Sequence, residues 1–106
     1  MSSCKIFVES SKLVPESATR IFSEILTNNL EVQESKLPVV VVESEQVEPS
    51  GCYIEVLCSQ TPHRTHKVLQ SMAIELDETA RKVFQIEEPV GVRIQMVDED
   101  FLLGVN

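Results

Sequence analysis

The chain has no tryptophan, one tyrosine and only three glycines in 106 residues. So few glycines leave no phosphate-cradling loop, and no GxSxG nucleophile elbow occurs either. The three cysteines, Cys4, Cys52 and Cys58, are odd in number and form no CxxC pair. That excludes a disulfide framework and a zinc knuckle. Cys52 and Cys58 share a strand face but stand about 20 Å apart at ~3.3 Å per residue, too far to bridge. Three small buried thiols are expected. No apolar run approaches the ~20 residues of a membrane span. The longest, Leu37 to Val42, contains Pro38 and stops at Glu43. The opening "MSSCKIFVES" has neither an apolar h-region nor a cleavage signal, so a cytoplasmic location is expected. Basic residues are scarce too: nine Lys and Arg against seventeen Asp and Glu, a net charge of −8. They are scattered, so neither nucleic acid nor an anionic membrane is an expected partner.

What remains is enough for one modest core. The 106 residues, 42% of them hydrophobic, make a single domain over 1–106. "CKIFVES" (4–10) alternates as a strand, with Cys4, Ile6 and Val8 on one face and Lys5, Phe7 and Glu9 on the other. Pro15 suits a helix start, and Ala18, Ile21, Phe22, Ile25 and Leu26 follow at helical spacing to about Leu30. "LPVVVVES" (37–44) has four successive valines, which predicts burial on both faces: a sheet interior, or an edge covered by another subunit. A polar connector ends in Pro49, Ser50 and Gly51. "CYIEVLCS" (52–59) alternates again. Thr61 is the expected cap and Pro62 the first residue of a second helix, whose stripe from Leu69 to Phe84 faces a core. Pro89 bars continuation, and "VGVRIQMV" (90–97) is the fourth strand.

The order β-α-β-β-α-β reads as two similar halves, 1–50 and 51–106. Each should cross over right-handed, giving an α/β (α+β) two-layer sandwich: a four-stranded mixed sheet with both helices on one face. The other face would then carry Phe7, Tyr53, Leu57 and Val97 among Lys5, Glu9, Glu55, Arg93 and Gln95. That mixture is too apolar for full exposure and too charged for a core, which predicts a homo-oligomer. The tail "DEDFLLGVN" is a candidate edge strand for a neighbour.

The stretch "TPHRTHK" concentrates His63, Arg64, His66 and Lys67 at the second helix start. Metal-binding histidines on a helix are usually i,i+4 with a carboxylate or cysteine beside them; these are i,i+3. No metal and no cofactor is expected. Positive charge at a helix N-terminus is mildly unfavourable, so Arg64 or Lys67 points to an anion. Arg64 is either a solvated surface arginine or a carboxylate ligand. Arg93, mid-strand, is either half of an ion pair between subunits, with Glu9 or Glu55, or a second anion ligand; Lys5 is similar.

"IEVLCSQTPHRTHKVLQSMAIELDETARKVF" resembles the opening strand, arginine-containing turn and long helix of the tautomerase superfamily, which includes macrophage migration inhibitory factor (MIF). "VGVRIQMVDEDFLLGVN" is similar to its closing strand and its tail of acid, aromatic and glycine, here Asp98–Asp100, Phe101 and Gly104. The resemblance implies trimers with sheets around a central axis. It also implies a small carboxylate held at a subunit interface by Arg64, and catalysis by an N-terminal proline whose amine is the general base. Here Ser2 stands in that place. After methionine removal its primary amine is the weak catalytic candidate, and a non-catalytic or vestigial protein is expected. Two alternatives stay open: an active keto–enol isomerase of the same group, and a ferredoxin-like oligomerisation or regulatory module with the same element string.

Overall fold

A computed structural model describes residues 1–101 and Leu103. Four strands and two helices follow in the order β1 (Ser2–Glu9), α1 (Ala18–Leu30), β2 (Val39–Ser44), β3 (Cys52–Ser59), α2 (His66–Phe84) and β4 (Gly91–Val97). The alternation in β1 and β3 sets their faces. Cys4, Ile6, Val8, Cys52, Ile54, Val56 and Cys58 are all at most 1% exposed. They meet Phe22 and Leu26 of α1 and Met72, Leu76, Ala80 and Phe84 of α2 in one core. Phe22 and Phe84 stack with centroids 5.8 Å apart, joining the helices over the sheet.

The sheet order is β2-β1-β3-β4. β1 runs parallel to β2, β3 parallel to β4, and β1 and β3 pair antiparallel in the centre with Ile6 opposite Ile54. In a ferredoxin-like split βαβ another strand separates β1 from β2. Here they are hydrogen-bonded neighbours, so the ferredoxin-like alternative falls and the tautomerase-like arrangement holds.

Three sequence expectations need correction. The helices start at Ala18 and His66, not at the prolines. Pro15 and Pro62 open separate turns instead: Ala18 N donates to Pro15 O, and Arg64 N donates to Thr61 O. The α2 cap is Thr65, not Thr61; its backbone is extended and its hydroxyl accepts from Val68 N at 3.3 Å. Of the two readings of the valine run, the sheet interior falls and the edge position holds. β2 is an edge strand; Val39 and Val41 pack on the core while Val40 is 47% exposed. In the tail expected as an edge strand, Glu99–Phe101 form a 3-10 turn, and Gly104 lies outside the described residues.

Candidate functional site

The turn from β3 into α2 brings Arg64 back under the end of the sheet. Its guanidinium is buried, at 8% exposure, which corrects the solvated reading. Nη1 donates to the Ser59 carbonyl at 2.7 Å and to Ser59 Oγ at 3.0 Å. Nη2 donates to the Leu30 carbonyl at 3.1 Å. Leu30 ends α1, and Glu31 after it is left-handed, so the arginine serves a carbonyl the helix leaves orphaned. The charge that disfavours the start of α2 thereby favours the end of α1.

His63 repeats the device from the surface. Its Nε2 lies 3.0 Å from the Asn29 carbonyl and its Nδ1 3.0 Å from Glu31 Oε2. It precedes α2 rather than lying on it, so the two histidines share no helical face. Among the described residues no group of three His, Cys, Asp or Glu side chains is placed to hold a metal ion.

Arg64 has no anionic partner among the described residues, and its buried Nε has no hydrogen-bond partner. Ser2 stands at the same end of the sheet, opposite Cys58. Its side chain is 1% exposed and its Oγ is likewise unpartnered. The amino group of Met1 donates to Ser59 Oγ at 3.4 Å, so two cationic groups converge on one hydroxyl. Burial pushes the Cys58 thiol up, while Arg64 and the amino terminus pull it the other way. Ser59, 3% exposed, is the residue that sequence reading missed here. Its only signal was its place at the end of an alternating strand.

Lys5 and Arg93 lie elsewhere, on the sheet face opposite the helices. They flank Glu55 in register, giving a row Lys5–Glu55–Arg93 across β1, β3 and β4, all exposed. Neither cation forms an ion pair among the described residues. Glu55 accepts instead from the Tyr53 hydroxyl at 3.1 Å. The Tyr53 pKa is raised, by loss of solvent first and then by Glu55, with Arg93 opposing. Phe7 and Tyr53, half-buried, stack beside this row with centroids 6.1 Å apart. Structure thus separates Arg64 and Ser2, at one end of the sheet, from Lys5 and Arg93, on its open face. No helix is long and apolar enough to cross a membrane among the described residues.

No family model matches the sequence, and no curated protein matches it either. Solved structures do match. A member of the cis-3-chloroacrylic acid dehalogenase family is 9% identical, with a TM-score of 0.77 over 96% of this chain and 79% of that one. The macrophage migration inhibitory factor of Trichinella spiralis is 12% identical, with a TM-score of 0.73 over 97% and 94%. A fused 4-OT solved as a symmetric trimer is 10% identical, with a TM-score of 0.75 over 98% and 92%. At these identities the likeness is one of architecture, and it spans nearly the whole chain: this protein has the tautomerase/MIF fold.

Proposed function

We propose that this chain is a non-catalytic protein of the tautomerase fold, a homotrimer whose open sheet faces turn toward one another, with a small-carboxylate site near Ser2 and Arg64 at a subunit boundary. The observation that carries the first part is Ser2, a primary amine at best where the fold's chemistry uses a proline, with its side chain buried in a strand. A primary amine lacks the fixed ring geometry of the proline base. The trimer is supported by the symmetric trimer of the fused 4-OT and by the half-buried aromatic pair on the open face. The carboxylate is supported by the convergence of the amino terminus and Arg64 on Ser59 Oγ, with no acid to answer them. A buried guanidinium without a counter-charge is costly, and a bound anion offsets that cost. One matched structure belongs to a family named for a small carboxylic acid, 3-chloroacrylic acid.

The test uses phenylpyruvate. Enol–keto conversion should not exceed background, while the Arg64 Nε resonance should shift as the compound is added. Sedimentation should give a mass three times that of the chain. Conversion well above background would replace this reading with the active isomerase. An unmoved Arg64 signal would remove the carboxylate, and a monomer would remove the assembly.

A further inference from the structure

The open face is not uniform. Toward β2 it holds a shallow, open cleft of about 380 Å³ whose lining includes Phe7, Val47, Glu48, Tyr53 and Glu55. Tyr53 lies opposite Gly91 in register, and a Cβ at Gly91 would stand 3.3 Å from Tyr53 Cδ1. The small residue lets the ring lie over β4 beside Phe7. The cleft therefore presents two ring faces and two carboxylates, and no cation lines it. Ring faces attract cations through their quadrupole, and a planar guanidinium can stack on them while meeting a carboxylate.

The cation of matching shape stands on the same face, on the outer strand β4. Arg93 is exposed and forms no ion pair among the described residues, although Glu55 is its register partner. Glu55 is held by Tyr53, within the cleft. Knob and hole lie side by side on one face, so two copies can pair them reciprocally across a two-fold axis or head to tail around a ring. The trimer proposed above takes the head-to-tail form, whose repetition about an axis closes a ring. We propose that Arg93 of one copy enters the Phe7–Tyr53–Glu48 cleft of the next, so that each cleft is completed by its neighbour. The inference rests on the self-association proposed above and names the contact that would make it.

Sedimentation of the full chain tests it by charge reversal. Arg93→Glu and Glu48→Arg alone should each weaken assembly at least about tenfold, as broken charge pairs at interfaces do. The double variant in one chain restores opposite charges at every contact and should recover most of the loss. Circular dichroism should be unchanged throughout, since both residues are exposed. Should a reversal impair folding, Arg93→Gln and Glu48→Gln serve in its place, and each must still weaken assembly. An assembled wild type indifferent to Arg93 overturns the contact and leaves self-association standing. Failure of the double variant to recover overturns the pairing with Glu48. A monomeric wild type overturns both.

Discussion

Arg64 donates to the carbonyl of Leu30 across 3.1 Å, so the turn that begins one helix finishes the other. The same guanidinium holds Ser59 at the end of β3. One side chain thus ties α1, α2 and the sheet together, and its substitution has a definite expected cost.

Arg64→Lys should lower stability by about 2–4 kcal/mol, because an ammonium cannot reach three acceptors in the plane of the fork and buried carbonyls lose charged donors. Urea denaturation measures it. His63→Ala removes the exposed counterpart and should cost less than about 1 kcal/mol. Equal losses at both positions would contradict the burial described for Arg64.

The thiols should be silent in the native protein. Burial pushes Cys4 and Cys52 up to about 12, with Cys52 adding repulsion at Cys4. The thiolate is the reactive form, so alkylation at pH 8 should wait for unfolding. Their effect on stability runs downward with pH. Below the ordinary thiol value of 9.0 both states are protonated and the contribution is complete. Above it the unfolded chain loses protons first, and stability should fall by about 1.4 kcal/mol per pH unit per thiol until about 12. Denaturation between pH 8 and 10, with Cys4→Ala and Cys52→Ala compared, reads the slope.

Phe22→Ala should cost about 3–5 kcal/mol, since it empties a fully buried site and unstacks Phe84. Phe22→Leu should recover more than half. Thermal unfolding ranks the three, and a cost below about 1 kcal/mol for alanine would be incompatible with the packing.

Asp77 performs a smaller version of the clamp. Its Oδ1 accepts from Val90 N at 2.8 Å and from Arg81 Nε at 3.1 Å, fastening α2 to the entrance of β4. Asp77→Ala should cost about 1–3 kcal/mol and speed amide exchange at Val90. Asp77→Asn keeps an acceptor and should cost less.

Local pattern made much of this fold legible. β3 appears at Cys52–Ser59 as its alternation predicts, and α1 and α2 end at Leu30 and Phe84 as their apolar spacing predicts. The helix starts were misplaced because a proline that opens a turn and one that opens a helix look alike in sequence. Only the reach of Arg64 to Leu30 and Ser59 shows why the chain pauses before Thr65. The Leu30 contact joins residues 34 apart in the chain, so no spacing rule could reveal it. Four valines in β2 leave interior and covered edge both open, because a sequence records the need for cover without saying which chain provides it. Arg93 reads as half of an ion pair between subunits with Glu9 or Glu55; within one chain Glu9 accepts from Val47 N and Glu55 from Tyr53.

Ile6 faces Ile54 at the centre of the sheet, and a half-turn about that pair carries β1 onto β3. Cys4, Ile6 and Val8 then fall on Cys52, Ile54 and Val56, and on the same offset Glu16 falls on Arg64. The twin corners have therefore taken opposite charge, one sealed and one wet. Such divergence gives a near-symmetrical molecule a head and a tail. Selection can then tune one corner for a guest while the other drifts without penalty to the scaffold they share.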